Sequence, residues 1–361
     1  MSLIDFFTKK EALVSIDIGA SCIRMLELDI SQSVPVLMSL GVERFQKEVF
    51  SNNEIHDQDY VAECLDLLLE RCDVQAQRAV ISMPGPSIFV KKLKLPKTSV
   101  KELESLVEME AGSLIPHNID DVMLDFHVIG EGEPGQLDIL IVAAKNETID
   151  SFMDCFTELE MEPVVVDIDY FALQNCFELG YASQISDTVA LINIGARYSC
   201  INVVRNGQSL TTGDVPVGGN LITAALVDEL GFDRREAESM KRAYDGTKIP
   251  HPEIPDVVEG RVDYITAELN RQLSLLWSAS GEDGDIDRIM IAGGSSKTPG
   301  LLEQLQEKTG IECVELDPLK GVRCADSVDA SLLKSVESSL ALAIGSGIRF
   351  PGDKEYPEGV S

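Results

Sequence analysis

Asp17 stands two residues before Gly19 in the run VSIDIGASCIRML, from Val14 to Leu26: an apolar strand, Asp-Ile-Gly, two small residues and a second strand. A glycine turn lets backbone N–H groups face an anion, because no Cβ blocks the approach. A carboxylate at the lip of such a turn can hold magnesium, directly or through water. Asp17 is therefore a candidate magnesium ligand, and Gly19, Ala20 and Ser21 are candidate phosphate donors. Arg24, on the returning strand, is expected to supply the one local positive charge. The same frame returns about 176 residues later in ALINIGARYSCINVV, with Asn193, Gly195 and Ala196 at the turn. Two such hairpins facing each other would clasp a polyphosphate from both sides. Asn193 carries no charge, so it neither accepts a proton nor pulls strongly on a metal. Binding with slow or absent hydrolysis is the expectation.

A third piece, IMIAGGSSKTPGL, runs from a strand through Gly293, Gly294 and Ser295 into a helix start. Glycines there let a flat purine lie against the backbone. Gly218, Gly219 and Asn220 precede an amphipathic helix, whose first amides are expected to point outward at an anion. Glu238 and Lys241 lie three apart on one helix face, within reach of a ribose or an adenine edge. Their spacing alone fits a solvated ion pair better. Ser296-Lys297-Thr298 lacks the glycine that a P-loop places before its lysine. His117, His127 and His251 have no metal-type companions at useful spacing, and no serine or cysteine has a nucleophile-elbow context. No residue is assigned a catalytic role.

These pieces need elements to carry them. Short apolar strands span 15–17, 23–28 and 34–40, and helical spacing follows at Val61, Cys64, Leu65 and Leu68. Between about Gly41 and Glu160 come further strands, a helix with Val100, Leu103 and Val107, and a hairpin turning at 130–135. This block reads as an α+β module inserted into a larger domain. Val164–Asp169 is a strand that leads into a helix ending near Gly180. Val258, Val262, Ile265, Leu269, Leu273 and Leu276 mark one long amphipathic helix, and Ser335–Gly347 reads as a single last helix. The fold class is α/β, internally duplicated.

The chain has 361 residues and a net charge of −31. Such an excess disfavours nucleic acid and anionic lipid, and attracts a basic protein segment. Eight cysteines without a C-x-x-C pair fit a reduced, cytoplasmic protein without zinc or disulfides. No apolar run reaches about 18 residues, so no transmembrane helix is expected. Leu3, Ile4, Phe6 and Phe7 fit a terminus packed on the core better than a membrane-touching helix.

In this order, the hairpins, the GG-helix and the AGG turn resemble the phosphate-1, phosphate-2 and adenosine motifs of the actin/Hsp70/sugar-kinase ATPase superfamily. The segments KELESLVEMEAGSLIPHNIDDVMLDFHVIG, ILIVAAKNETIDSF, VVVDIDYFALQN, GGNLIT and AESMK resemble the PilM family within it, over nearly the whole chain. That resemblance implies a two-lobed, actin-like (ribonuclease H-like) fold with an inserted α+β subdomain. Its parts would be a first lobe at 1–45 and 159–185, the insertion at 46–158, and a second lobe at 186–217 and 286–350. The outer part of the second lobe would be 218–285, and 351–361 a flexible tail. It implies ATP and magnesium between the lobes, and returns Glu238 and Lys241 to the nucleotide contacts. It implies a cytoplasmic scaffold of type IV pilus assembly, held at the inner membrane by protein partners. The scaffold would grip the N-terminal tail of a PilN-like protein near the inserted module, with Ser99–Ile115 the expected region. It would link the tail, through PilO- and PilP-like proteins, to the pilus motor. Family members usually have aspartate at the Asn193 position, and lysine is common at Arg24. Alternatives are an FtsA-like division protein, which the tail FPGDKEYPEGVS disfavours for want of an amphipathic helix, and a small-molecule kinase using Asp167 or Asp169.

Overall fold

The computed structural model describes residues 13–354. Leu3, Ile4, Phe6 and Phe7 and the end of the chain from 355 lie outside the described residues.

β1 (Val14–Ile18), β2 (Cys22–Asp29) and β3 (Val36–Arg44) form an antiparallel meander. The small hairpin β4 (Phe50–Ser51) and β5 (Glu54–Ile55) leads to α1 (Gln58–Cys72), capped by Asp57. β6 (Arg78–Met83) returns parallel to β1. β7 (Ile88–Pro96), α2 (Val100–Leu114), β8 (Val122–Glu131) and β9 (Gln136–Lys145) follow. Their strands make a separate sheet in the order β7-β9-β8, with α2 packed on it. After α3 (Asn146–Met153), β10 (Glu162–Ile168) pairs parallel to β6. α4 (Asp169–Gly180) then crosses to the second lobe.

There β11 (Val189–Ile194), β12 (Ser199–Arg205) and β13 (Gln208–Val215) repeat the meander. α5 (Gly219–Leu230), α6 (Arg234–Ala243) and α7 (Ile254–Ser280) follow. β14 (Arg288–Ala292) returns parallel to β11, and after α8 (Leu301–Thr309) β15 (Cys313–Glu315) adds parallel to β14. β16 (Arg323–Cys324) goes back to the first sheet beside β3, before α9 (Ala330–Val336) and α10 (Ala341–Gly347). The sheets run β10-β6-β1-β2-β3-β16 and β13-β12-β11-β14-β15.

The wiring of the two sheets is the same. A central strand (β1 or β11) carries an antiparallel meander on one side and two parallel strands on the other. Helices cover both faces, so β1 and β11 are buried throughout and read as unbroken apolar runs. α4 and α10 fill the layer between the lobes, where one core takes residues from both sheets. Their approach is close: a Cβ on Gly345 would stand 1.7 Å from the Ala172 carbonyl oxygen. Outer cores join β1 and β2 to α1 and α3, and β11 and β12 to α5, α7 and α8.

Three expectations change. Strand 78–83 and α1, expected inside the module over 46–158, belong to the first lobe; the separate sheet spans Ile88–Lys145. The signal was in β6 itself, which is apolar on both faces as a central parallel strand must be. The last helix, expected as one piece over 335–347, breaks at 337–339 into a 3-10 turn. The break frees the Ser338 carbonyl to accept from the Gly293 N–H at 2.8 Å. The tail, expected mobile from 351, is pinned at its start by Arg349–Asp353 and Lys354–Asp125 ion pairs. Among the described residues no helix is long and apolar enough to cross a membrane. All eight cysteines are free, and seven are buried.

Candidate functional site

The two hairpin turns close in the same way. The Gly19 N–H donates to the Cys22 carbonyl at 3.1 Å, and the Gly195 N–H to the Tyr198 carbonyl at 3.1 Å. Each glycine amide is thus spent inside its own turn, which corrects its expected role as a phosphate donor. The next amides, of Ala20 and Ser21 and of Ala196 and Arg197, have no acceptor among the described residues. Both turns line one cavity of about 50 Å³. Asp17, Asp169, Asn193 and Gly293 share its wall. Its volume is that of about one or two waters, so the lobes meet closely over the turns.

Cross-strand register explains the electrostatics. Asp17 lies opposite Arg24, and the two form a 2.8 Å ion pair. Burial pushes the Asp17 carboxyl up, and Arg24 opposes the shift. Arg24 also donates from Nε to Ser339 Oγ at 3.0 Å, from the break before α10. In the second hairpin Asn193 lies opposite Cys200, so the duplicate has neither the carboxylate nor its guanidinium. Arg24 is not the one local cation, as expected from its hairpin: Arg197 lines the same cavity. Arg197 reaches the first lobe, donating to Asn53 Oδ1 at 2.8 Å with its guanidinium 5.8 Å from the Phe50 ring.

Asp169 opens α4 at the cavity floor and accepts from the Tyr198 hydroxyl at 2.6 Å. Burial, and then the Asp17 charge, hold its carboxyl far above the usual range. Its neighbour Tyr170 donates to Asp214, whose carboxyl burial pushes up to about 6.

The remaining sequence candidates gather at an adjoining cavity of about 320 Å³, a size that suits a nucleoside. Asn220, Glu238, Lys241, Gly294 and Ser295 line it. Gly218 and Gly219 do not; they work from behind. The Gly219 and Asn220 amides donate to the Gly195 and Ala196 carbonyls at 3.0 and 2.8 Å. This corrects the expectation that the start of α5 points free amides at an anion: the helix start instead braces the second hairpin. Glu238 and Lys241 are not a solvated pair either. Lys241 Nζ lies 2.6 Å from Glu238 and 2.9 Å from Thr223 Oγ1, and it donates to the Gly219 carbonyl at 3.3 Å. Gly293, at φ +101°, passes so close that a Cβ would stand 2.4 Å from the Ile194 carbonyl oxygen. The Ser295 hydroxyl donates to the Gly195 carbonyl at 3.0 Å. The adenosine-type turn and the second hairpin are therefore one rigid unit.

Arg44, Arg197, Arg242 and Ser339 carry no motif and are invisible in sequence. Arg44 ends a strand that hydropathy places only to 40, because Gly41–Arg44 loses the apolar run. As for magnesium, Asp17, Asp169 and Asn193 offer oxygens of suitable kind to the small cavity. No group of three or more His, Cys, Asp or Glu able to hold a metal occurs among the described residues. The protein alone thus falls short of a full shell, which suits an ion that keeps waters and takes phosphate oxygens.

A family model described as type IV pilus assembly protein PilM matches residues 15–350. Among solved structures, a PilM–PilN type IV pilus biogenesis complex is similar over 98% of this chain and 99% of that one, at 22% identity and TM-score 0.83. The ethanolamine utilization protein EutJ of Carboxydothermus hydrogenoformans is similar at 14% identity and TM-score 0.56, over 94% and 90% of the two chains. MreB5 of Spiroplasma citri bound to ADP follows at 12% identity and TM-score 0.52, over 94% and 96%. The expected fold class, two-lobed and actin-like, is the fold observed.

Proposed function

The chain belongs to the type IV pilus assembly protein PilM family, and from that premise we propose that it is an ATP-binding scaffold of the pilus machine that holds the basic N-terminal tail of a PilN-like inner-membrane protein. The carrying observation is that two hairpins from separate sheets line one cavity, with the nucleoside-sized space beside it. With the lobes parted further than in this closely met state, phosphate would lie on the Ala20, Ser21, Ala196 and Arg197 amides, and the base along Gly294. Asp17 and Asp169 would hold magnesium, partly through water, and the ion would neutralise phosphate charge. MreB5 of Spiroplasma citri has been solved with ADP, which favours a nucleotide in this fold. Asn193 favours slow or absent turnover.

The tail site we assign is a groove of about 530 Å³ between the separate sheet and the body. It lies not over the helix of Ser99–Ile115 but along β8, β9, β10 and α4. Its walls pair apolar Phe126, Leu140, Val142 and Phe171 with acidic Asp125, Asp167, Glu178 and Asp353; Lys354 and Arg349, which also line it, already pair with Asp125 and Asp167. One Asp167 oxygen is buried without a partner, which a basic residue would satisfy. A tail preceding a membrane helix is often basic, and the −31 charge of the chain draws it in. The scaffold would thus sit at the cytoplasmic face of the inner membrane and pass tail occupancy, through PilO- and PilP-like proteins, toward the motor.

α4 lines the groove and also starts at Asp169 in the nucleotide cavity, so closure over nucleotide and shaping of the groove share one helix. Co-purification of the full chain with a candidate tail, with and without ATP–magnesium and beside Asp17→Ala, tests the reading. Tail capture that strengthens with nucleotide and weakens in the variant is expected. Equal capture in all arms removes the coupling.

A further inference from the structure

The nucleotide cavity opens into a third space of about 470 Å³ at the cleft mouth. The inner space is lined by Arg24, Arg44, Lys241, Arg242 and Lys297. The mouth is lined by Arg44, Lys47, Arg234, Arg235 and Arg242. The carboxylates on both walls are Glu48 and Glu238. Eight of the 30 Lys and Arg residues of a chain with net charge −31 therefore stand along one channel, against two of its 61 acids. Both lobes contribute: Arg44 and Lys47 follow the first hairpin, while Arg234, Arg235 and Arg242 lie on α6.

Most of these cations are matched. Arg24 pairs with Asp17, Lys47 with Asp57, Arg234 with Glu48, Arg242 with Glu238, and Lys297 with Glu337. Arg44 and Arg235 have no carboxylate partner among the described residues, and both are exposed to the mouth. Desolvation, and then the nearby Arg242, hold the Arg44 guanidinium below its usual value. The chain thus keeps like charges facing each other across an open cleft, although carboxylates abound elsewhere.

We propose that this mouth is an electrostatic funnel that captures the polyphosphate of a nucleoside triphosphate, with Arg44 from the first lobe and Arg235 from the second as its unpaired receptors. The proposal rests on the nucleotide reading above and adds how so acidic a protein admits an anion. Beyond roughly one Debye length of 8–10 Å the acidic charge elsewhere on the chain is largely screened. Within that distance the local cations dominate and guide it inward. Arrival of the anion also removes the repulsion between Arg44 and Arg242, and so favours approach of the lobes.

The test is stopped-flow association of a fluorescent ATP analogue with magnesium, on the full chain, at low and high salt. The double variant R44Q/R235Q is compared with wild type and with K94Q/K97Q, which loses the same charge on the separate sheet. Far-UV dichroism establishes that each is folded. In R44Q/R235Q the association rate at low salt should fall about tenfold and approach wild type at high salt, while dissociation changes less than about twofold. K94Q/K97Q should associate as wild type does. Equal association rates in the two double variants, or a loss insensitive to salt, would overturn the funnel. Wild type that fails to bind the analogue would instead sink the nucleotide reading itself, and the funnel with it.

Discussion

The Tyr198 hydroxyl, from the second lobe, donates to Asp169, from the first, at 2.6 Å on the floor of the cleft. One residue along, Tyr170 donates in the opposite sense to Asp214 of the second lobe. The start of α4 is thus stitched across the cleft by two tyrosine–aspartate bonds of reversed direction. Removing one donor strands a carboxyl that is 5% exposed. Tyr198→Phe should therefore destabilise the chain by about 1–3 kcal/mol, read as a lowered urea midpoint. A midpoint equal to wild type would mean that the bond carries no net stability.

The second stitch gives a pH signature. Burial pushes Asp214 up to about 6, from an ordinary value of 3.8. The folded state therefore keeps this proton longer than the unfolded chain does. Stability conferred by the neutral acid is intact below about 4 and is lost as pH rises through about 6. Asp214→Asn keeps a neutral acceptor for Tyr170 and has no proton to lose. It should match wild type at pH 4 and exceed it by of order 1–2 kcal/mol at pH 7, after allowing for solvent screening. Urea titrations at both pH values measure this, and parallel stability profiles would refute the assignment.

Two adjacent glycines should behave very differently. Gly293 has φ +101° and no room for a Cβ beside Ile194, whereas the nearest atom to a Cβ on Gly294 is 3.7 Å away. Gly293→Ala should cost about 2–4 kcal/mol, or prevent folding. Gly294→Ala should cost less than about 1 kcal/mol. Thermal melts of the pair decide it, and comparable losses would show that the close approach is not what requires glycine.

The lip contact of Arg197 is a half-buried interaction at the cavity edge and should matter for rate more than for stability. Arg197→Ala removes its hydrogen bond to Asn53 and its stacking on Phe50. Stability should change by less than about 1 kcal/mol, while release of bound nucleotide speeds up several-fold. Unchanged release in a chase experiment would show that the lip does not gate the cleft.

How much of this was legible in sequence follows from what local pattern records. The paired hairpins were readable because glycine turns between buried strands leave a fixed local signature, as in Asp17–Arg24 and Asn193–Cys200. The common wiring of the sheets was not, because partner choice is non-local: 78–83 joins β1 across more than 60 residues. The free-amide reading of Gly218–Asn220 failed because a helix start cannot announce whether a neighbouring loop has already taken its donors. Arg44 and Arg242 were silent for the same reason. A lone arginine at a strand end or on an amphipathic helix gains its meaning from the other lobe.

Asn193 offers the sharpest test of chemistry. It lines the same small cavity as Asp17 and Asp169. Opposite it stands Cys200, where the first hairpin has Arg24 opposite Asp17. A carboxylate installed here would face two other carboxyl groups with no guanidinium opposite it in the register, and Arg197, in the turn of the same hairpin, is already engaged with Asn53. Asn193→Asp should therefore destabilise the ligand-free chain by about 1–3 kcal/mol. Divalent cation with nucleotide should reverse the loss, because the ion supplies the missing positive charge. If the amide is what limits turnover, phosphate release from ATP should rise about tenfold or more over wild type. Thermal melts with and without ATP–magnesium, beside a phosphate-release assay, read both effects. Rescue without faster release would place the limit on hydrolysis elsewhere in the cleft, and no rescue would argue against magnesium at these carboxylates.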